Sequence, residues 1–478
     1  MFSNARRRRR IDPAVAWLAL PLALLLLALP RSAARAQAAA ASAPAPGQSG
    51  EPARTLLDRY VAQAIDANLA LAQQGAALRR AEAGVKEANG RFLPSVGLNA
   101  RYSEFSGVIN IGDFINPTYA ALNQILGEAR FPTDIQATLP FRQETKLDLQ
   151  MPLFNGALFG ARAAARAQRD LVGSTRLTAM RQLAADVQQS WLAVANASRA
   201  VETLEAMQPV LDENVRVSER LVSAGQATPD VVLRARAERS ELQQQVDDTR
   251  RARAAATRGF NLLRNQDAES PVTITSDSTL LALPSLDRDA LVAHALRHRE
   301  ELAGAGSGVN LARAQQRVAG SAFLPALSLG ASYGVQGDRY RFNNDNDVAL
   351  ASVVLSWNLF NGQQDNARRQ QATALRQEAE LRVREAERGI VTQVLNALDA
   401  VEVARTNLSA ANDRHDAAQR AFTLVERRYG EGLATQVEFL SARASYTAAA
   451  LNRVITHFGF AARMVDLERV AALRTLPH

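Results

Sequence analysis

The chain of 478 residues is 47% hydrophobic but only 5% aromatic, carries a net charge of +8 and contains no cysteine. The lack of cysteine excludes disulfides, cysteine-ligated metals and a lipid-modified N-terminal cysteine. Seven arginines and one aspartate lie within residues 1–36, so most of the positive charge belongs to that segment. We therefore expect no nucleic-acid partner.

The N-terminus has the pattern of a secretory signal peptide. Arg6 to Arg10 are basic, residues 15–29 are mainly apolar, and Ala34-Arg35-Ala36 has the small-x-small pattern of a cleavage site. A membrane anchor is the alternative, but a spanning helix needs about 20 apolar residues. We predict a signal peptide at 1–36, followed by an Ala/Pro/Gly/Ser-rich linker at 37–54.

Two segments of the chain, residues 55–265 and 288–474, carry the same short motifs in the same order. This self-similarity predicts two internal repeats, each made of a helix, a β-hairpin, a long helix and a returning helix. The motif pairs are Phe92-Leu93-Pro94 with Phe323-Leu324-Pro325, Leu153-Phe154-Asn155-Gly156 with Leu359-Phe360-Asn361-Gly362, and Gly225-Gln226-Ala227-Thr228 with Gly432-Leu433-Ala434-Thr435.

The two predicted hairpins, at about 92–153 and 323–359, have strands in which apolar and polar residues alternate. In the first strand, for example, Val96 and Leu98 alternate with Gly97 and Asn99. Alternation places one apolar and one polar face on the sheet, as in exported outer-membrane barrels. Four strands cannot close a barrel, for which about eight is the minimum, so several chains must share one. A soluble hairpin packed on a core is the alternative.

A long helix is predicted after each hairpin, at 156 to about 224 and at 363 to about 430. With a rise of about 1.5 Å per residue, each helix is expected to be roughly 100 Å long. Pro209 interrupts the first helix and should kink it. A narrow apolar seam on both helices predicts coiled-coil packing. The seam residues are Val187, Trp191, Val194 and Val201 in the first helix, and Ile390, Val394, Leu398, Val401 and Leu408 in the second.

Each long helix is predicted to end at a Gly-x-Ala-Thr turn. Gly225 and Gly432 suit the position just after a helix, where a left-handed backbone favours glycine. Thr228 and Thr435 then suit the N-cap of the returning helix, and Pro229 suits its first position.

Two acidic residues follow these turns, and each has two interpretations. Thr435-x-x-Glu438 is a capping box, which has a purely structural role. A ring of symmetry-related Glu438 side chains at a pore constriction is the other interpretation, because charged rings select ions. Asp230 is favourable at a helix N-terminus in any soluble protein, and it could likewise gate a pore.

Two further segments lie between the repeated elements. Residues 266–287 join the repeats; they contain two prolines and a strand signal at 272–275, and we predict a small equatorial region of mixed structure. The first repeat has 25 extra residues between its strands, at about 106–140. Since long barrel loops face the cell exterior, this segment is either a cap over the barrel mouth or a passive surface loop.

The sequence contains only weak signals for a metal, nucleotide or catalytic site. His294 and His298 lie four residues apart with Glu301 nearby, a spacing that can hold zinc, but a solvated helix face is the favoured interpretation. The glycine-rich stretch 304–308 follows a helical stretch and not a strand, which argues against nucleotide binding. We predict no enzyme activity, no catalytic residues, no metal and no cofactor.

The ordered set of duplicated motifs resembles the TolC-like family of outer-membrane efflux proteins. The residues that carry the resemblance span nearly all of 55–470, and they include two strand–helix junctions. These junctions are Pro152-Leu153-Phe154-Asn155-Gly156 and Leu359-Phe360-Asn361-Gly362. The resemblance implies a mixed α and β membrane protein. In this homotrimer, four strands per chain form one 12-stranded outer-membrane β-barrel, continued by a long periplasmic α-helical barrel of antiparallel coiled-coil helices.

The resemblance also implies an aperture at the periplasmic end of the helices. Tyr429 matches a tip tyrosine of family members, and Glu438 matches an acidic residue that helps to close their tunnel. Ser441 stands where some members have a second acid, and Ala434 where some have an arginine. Asp230 lies one residue before the usual acid of the first repeat. With Gly225, Thr228, Gly432 and Thr435, these tip residues form the candidate aperture.

The partners that the resemblance implies are outer-membrane lipid, a periplasmic adaptor protein and an inner-membrane transporter of the proton-driven or ABC type. The chain is expected to be the passive outer-membrane channel of a tripartite efflux or type I secretion system. A soluble periplasmic coiled-coil scaffold without channel activity is the alternative. Such a scaffold would be released by osmotic shock, whereas a channel would remain with the outer membrane.

Overall fold

The computed structural model describes residues 52–104, 109–135, 138–139, 142–275, 287–337 and 346–476. The predicted signal peptide and nearly all of the predicted linker lie outside these residues, as does the stretch 276–286 of the predicted connecting region. The first helix already begins at Ala53, within the predicted linker.

The two halves of the described chain have the same order of elements, except for one insertion in the first half. The first half contains α1 (Ala53–Ala67), α2 (Leu69–Gly90), β1 (Ser95–Tyr102), β2 (Ile109–Asn110), α3 (Gly112–Leu126), β3 (Thr138–Leu139), β4 (Gln143–Phe154), α4 (Gly156–Glu205), α5 (Gln208–Ser223) and α6 (Pro229–Leu263). The second half contains α7 (Arg288–His298), α8 (Glu300–Ser321), β5 (Ala326–Gly337), β6 (Asp347–Ser356), α9 (Gln364–Gly430) and α10 (Gln436–Val470). The insertion comprises β2, α3 and β3.

The four long strands form one antiparallel sheet in the order β1-β4-β5-β6. Its register places like side chains opposite one another: Leu98 faces Leu147, which in turn faces Tyr333, while Asn99 faces Lys146. Because side chains alternate between the faces of a strand, the sheet has one apolar and one polar face over most of its width. This arrangement agrees with the alternation predicted from the sequence. β1 and β6 are the two edges.

The fourth strand ends before the residues of the second junction. β6 begins at Asp347 and ends at Ser356, so Trp357 and Asn358 lie beyond it. The indole N–H of Trp357 donates to the carbonyl of Phe323 at 3.2 Å, and the Asn358 amide donates to Asp365 Oδ2 at 3.0 Å. These side chains connect the strand end to neighbouring helix ends.

The long helices follow the predicted pattern. The first is divided where α4 ends at Glu205 and α5 begins at Gln208, and Pro209 lies in the first turn of α5, where its missing N–H costs nothing. In contrast, α9 runs unbroken through 67 residues, about 100 Å at 1.5 Å per residue. All the predicted seam residues are buried except Leu408, which is partly exposed.

Among the described residues, the two largest of three apolar clusters hold most of the helices together. One surrounds the fully buried Trp191 and includes residues of α1, α4, α6 and α10; the other surrounds Val394 and includes residues of α7, α9 and α10. The predicted strand at 272–275 is wrong, since these residues pair with no strand in the part of the chain that the structure describes. Instead, Thr273 accepts a hydrogen bond from Trp191 Nε1 at 3.0 Å and donates its backbone N–H to the Tyr60 hydroxyl at 3.1 Å. The segment is thus held by side chains.

Candidate channel site

The polar face of the sheet is lined by paired charges. Asn99 Nδ2 donates to Asp148 Oδ2 at 2.6 Å, Arg101 donates to Glu144 Oε2 at 2.7 Å, and Lys146 forms an ion pair with Glu144. Since the two cations and two anions balance, this face is wettable without a strong field of one sign. The opposite face exposes large apolar side chains, with Leu98 68% exposed. A sheet with two such faces can separate water from lipid.

The first strand–helix junction uses its glycine for packing. Asn155 is the N-cap of α4 and accepts a hydrogen bond from the Ala157 N–H at 3.0 Å. Gly156 is the first helical residue, and a Cβ there would lie 2.9 Å from the Cβ of Ser321 in α8. Pro152 precedes a register irregularity in the β4–β5 ladder. The junction therefore lets a strand continue into a helix that packs directly on α8.

The second junction has the same motif but uses its glycine for backbone conformation. Gly362 has φ 66° and Gln363 has φ 67°, so α9 begins only at Gln364. Asn361 Oδ1 accepts from the Asp365 N–H at 3.4 Å. The apolar junction side chains are exposed at both sites and form a band at the end of the sheet. These side chains are Leu153, Phe154, Leu359 and Phe360.

The turn between α5 and α6, which we call the first tip, ends its helix as predicted. Gly225 has φ 70°, and the Gln226 N–H donates to the Leu221 carbonyl at 2.8 Å, which satisfies a carbonyl at the helix end. Thr228 occupies the N-cap position of α6, but its hydroxyl bonds to the Asp230 carboxylate and to no helix N–H. Asp230 lies in the first turn of α6 and forms an exposed ion pair with Arg234.

The turn between α9 and α10, the second tip, contains the capping box that the sequence predicts. Gly432 has φ 74°. Thr435 Oγ1 accepts from the Glu438 N–H at 3.2 Å, while Glu438 Oε2 accepts from the Thr435 N–H at 2.7 Å. Leu433 is exposed at the turn. The structural role of Glu438 is therefore present, and its carboxylate is still exposed to solvent.

The capping hydrogen bonds predict a pH dependence at the second tip. Hydrogen bonds from Thr435 hold the pKa of Glu438 below its usual value of 4.5, and Arg428 acts in the same direction. A depressed folded-state pKa stabilises the cap above pH 4.5, and that contribution is lost as pH falls through the folded value. Compared with Glu438→Gln, which keeps an acceptor but cannot ionise, wild type should show slower hydrogen exchange across 430–442 at pH 7.

This advantage over Glu438→Gln should disappear as the solution is acidified below pH 4.5. The two proteins are compared at each pH, so the intrinsic pH dependence of exchange cancels. If the difference persisted unchanged to pH 3, ionisation of Glu438 would not be its cause.

Three residues of the second helical hairpin (α9 and α10) make polar contacts with the first helical hairpin (α5 and α6) near the tips. The Tyr429 hydroxyl donates to Asn214 Oδ1 at 3.3 Å, and burial raises the pKa of Tyr429. Gln436 Nε2 donates to the Val231 carbonyl at 3.0 Å. Arg443, which is largely buried, forms an ion pair with Glu238. These contacts connect α9 and α10 with α5 and α6, so they resist separation of the hairpins.

Of these contact residues, the sequence had indicated only Tyr429. Asn214 is buried in α5 between Leu211 and Ser218, in positions that continue the apolar seam. A polar residue at a core position of a long helix was the available signal, because buried polar groups are hydrogen-bonded. The partner across the hairpins could not be identified in this way, since it depends on how distant segments face each other.

Aromatic rings fill the space between α9 and α10 behind the second tip. The Tyr429 and Phe439 rings stack with centroids 4.8 Å apart, and those of Phe422 and Tyr446 stack at 5.5 Å. Phe422 and Phe439 are buried and contact each other as well. The second helical hairpin is therefore stiffened by a continuous aromatic cluster close to the second tip.

The weak candidates for chemistry have structural roles. The rings of His294 and His298 lie 4.3 Å apart, and His294 Nδ1 bonds to the Ala471 carbonyl at 2.9 Å. Glu301 forms an ion pair with Arg299, and the glycine-rich stretch 304–308 lies within α8. Within the described ranges, no group of three His, Cys, Asp or Glu side chains is placed to hold a metal ion. Among the same residues, none of the helices is apolar over a long enough stretch to cross a bilayer.

Comparison with known proteins gives one family and a consistent fold. Residues 291–455 match the family model "Outer membrane efflux protein". No curated protein matches the sequence significantly. Three solved structures have the same fold. A membrane protein from Pseudomonas aeruginosa has a TM-score of 0.71 at 18% identity, covering 90% of this chain and 97% of that one.

The other two solved structures are named outer-membrane proteins. The CmeC outer membrane channel of Campylobacter jejuni has a TM-score of 0.72 at 14% identity and covers 87% of this chain and 85% of its own. The outer membrane protein VceC of Vibrio cholerae has a TM-score of 0.70 at 18% identity, with 87% and 96% covered. The resemblance to outer-membrane efflux proteins that the duplicated motifs predict is confirmed by these matches.

Proposed function

We infer that this TolC-like outer-membrane efflux protein is the passive outer-membrane channel of a tripartite efflux or type I secretion system. The observation that carries the inference is the four-stranded sheet, which has one apolar and one polar face and leads into helices of up to 67 residues. The likeness to the CmeC channel supports the same function. The soluble periplasmic scaffold finds no support in the comparisons.

A barrel shared between several chains is supported by the two edges of the sheet, and the resemblance to TolC-like proteins supplies the number of three chains. In the described residues, β1 and β6 each have only one strand neighbour, and an open edge of this length invites pairing with another chain. Four strands are too few to close a barrel, for which about eight is the minimum. Three copies supply twelve strands when β1 of one protomer pairs with β6 of the next. The matching element order of the two halves supports their origin as internal repeats.

The long helices are proposed to continue the pore through the periplasm. A rod of about 100 Å reaches well beyond any bilayer, and the tips at its far end are the surfaces offered to a periplasmic adaptor and an inner-membrane transporter of the proton-driven or ABC type. The exposed band of junction side chains, including Leu359 and Phe360, then lies where the barrel leaves the lipid. The energy for transport comes from the partner transporter.

The tips are proposed to form the aperture. The Glu438 carboxylate accepts hydrogen bonds from the Thr435 N–H and the Thr435 hydroxyl, both through Oε2. This residue can therefore cap α10 and still present Oε1 to an ion. A ring of three such carboxylates, with Asp230 nearby on the first tip of each chain, would favour cations at the constriction. Tyr429, Gly225, Thr228, Gly432 and Thr435 hold the turns in the conformation that places these acids.

Fractionation and conductance test the proposal. The mature chain should float with outer membranes, run on gels in mild detergent as a trimer that heating dissociates, and produce discrete conductance steps in planar bilayers. An empty-vector preparation taken through the same purification is the control for porin contamination. Release of the chain by osmotic shock as a monomer that needs no detergent would contradict the channel function.

A further inference from the structure

The insertion in the first β-hairpin, between β1 and β4, contains a helix, α3, that is held by several hydrogen bonds. Asn116 of α3 makes a reciprocal pair of hydrogen bonds with the backbone of Ile135, both at 2.9 Å. Asn123 makes the same pair with Phe131 at 2.7 and 2.8 Å, and Tyr119 packs on the Phe131 ring. These three α3 residues lie on one side of the helix, at spacings of three and four. That side is therefore fixed to the returning segment 128–135.

The other side of α3 carries an exposed apolar stripe. Phe114 is 73% exposed and Ile125 is 80% exposed, and Leu122 and Leu126 are exposed as well. Their spacing of three, four and eight residues places Phe114, Leu122 and Ile125 on one face. Since the opposite face is already bonded to its own chain, the stripe cannot be buried by rotation of α3. A preformed apolar face of this kind marks a contact surface.

The charges around the stripe argue against a lipid surface as its partner. α3 contains no Lys or Arg, and the charged residues of 112–135 are Asp113, Glu128, Arg130 and Asp134, of which Arg130 pairs with Glu128. Helices that lie on membranes are rich in Lys and Arg on their polar face, because lipid headgroups are often anionic. A net negative segment with an apolar stripe instead fits a partner that is itself apolar.

A second copy of α3 is such an apolar partner, and the proposed trimer would bring three copies of this helix together. α3 follows β1, an edge strand of the sheet. Twelve strands about 4.8 Å apart and tilted by about 40° enclose a backbone radius of about 12 Å. Three helices of about 10 Å diameter in mutual contact fill a circle of about 11 Å radius. Three copies of α3 thus match the width of the barrel mouth.

We propose that the three α3 helices of the trimer pack against one another through Phe114, Leu122 and Ile125 and form an apolar cap over the outer mouth of the barrel. This inference rests on the proposed trimeric channel. The hydrogen bonds of Asn116 and Asn123 hold the opposite side of each helix on its own chain and so leave the stripe free for this contact. Each opening of the channel then requires that the cap be separated.

The natural lack of cysteine allows a clean cross-linking test. Ile125→Cys places a thiol in the stripe, and Gln124→Cys places one at the neighbouring exposed position, about 100° around the helix. Both variants are purified as trimers and treated with a mild oxidant or a short bismaleimide. A single bond can join only two of three chains. Ile125→Cys should therefore give cross-linked dimer and monomer in a denaturing gel, and Gln124→Cys should remain monomer.

Several outcomes overturn the cap while leaving the channel intact. A conducting trimer in which Ile125→Cys is not cross-linked and reacts freely with a water-soluble maleimide has an open mouth. A trimer in which this thiol is neither cross-linked nor labelled assigns the stripe to lipid. Equal cross-linking at 124 and 125 contradicts a specific face. Failure to form any trimer, in contrast, is a failure of the proposed function itself.

A second variant tests the cap by its effect on conduction. Ile125→Asp places a charge in the proposed three-helix contact without touching the bonded face of α3. We expect trimers of normal heat sensitivity with a single-channel conductance at least twofold higher than wild type, and Gln124→Asp should leave conductance unchanged. Equal conductance in all three proteins would overturn the cap.

Discussion

An arginine in place of Leu98 is expected to abolish the outer-membrane trimer. Leu98 lies in the middle of β1 on the apolar face, opposite Leu147. If that face contacts lipid, an arginine there costs about 2–4 kcal/mol in each chain, and the proposed trimeric barrel would contain the substitution three times. The heat-sensitive trimer should disappear from detergent gels, and conductance in planar bilayers should be lost with it.

The neighbouring residue provides a matched control for this substitution. Asn99 is one position further along β1 and points to the polar face, where it bonds to Asp148. Asn99→Arg adds the same side chain to the same strand, so the trimer should be retained and only the ion selectivity of the pore should shift toward anions. Loss of the trimer in both variants, or in neither, would contradict the assignment of the two faces.

Removal of the charge of Glu238 is expected to open the periplasmic tip. Its partner Arg443 is largely buried, and a hydrogen bond to a charged group is worth about 1.5–3 kcal/mol. Glu238→Gln leaves the Arg443 guanidinium without a counter-ion between the two helical hairpins. Since 1.4 kcal/mol is a factor of ten, the ratio of open to closed tips should rise roughly 10- to 100-fold per chain. Open probability in planar bilayers measures this change directly.

A second ion pair close to the same tip serves as the control. Arg236 and Glu219 lie 2.7 Å apart on the exposed surface, and both belong to the first helical hairpin, α5 and α6. Exposed pairs contribute about 0–1 kcal/mol, and this one does not connect the two hairpins. Glu219→Gln should therefore conduct like wild type. If Glu238→Gln also conducted like wild type while Arg443 remained in place, this ion pair would not hold the tip closed.

Most of the fold could be predicted because its elements obey local rules. The strands alternate since one face must be apolar, as the pairing of Leu98 with Leu147 shows. The long helices end where Gly225 and Gly432 adopt positive φ angles, and Pro209 divides the first of them. Each of these features follows from a residue and its immediate neighbours.

The features that escaped prediction depend on residues distant in the sequence. Gly112 and Pro117 suggest a loop, but α3 forms there, stabilised by the bonds that Asn116 and Asn123 make with the returning segment. The contact of Tyr429 with Asn214 joins positions 215 residues apart. The role of Glu438 as a cap was visible in the Thr-x-x-Glu spacing, whereas the ion pair of Arg443 with Glu238 was not.

The interruption between α4 and α5 makes the first long helical segment of the chain less stiff than the second. α9 is continuous from the sheet to the second tip, so it behaves as a stiff beam. The first segment has a joint at residues 206–207, close to the tip. A force applied to the tips would therefore bend the first helical hairpin at that joint and leave the second helical hairpin nearly straight. In the proposed trimer, widening of the tips would then be asymmetric within every protomer, while the threefold symmetry of the assembly would be kept.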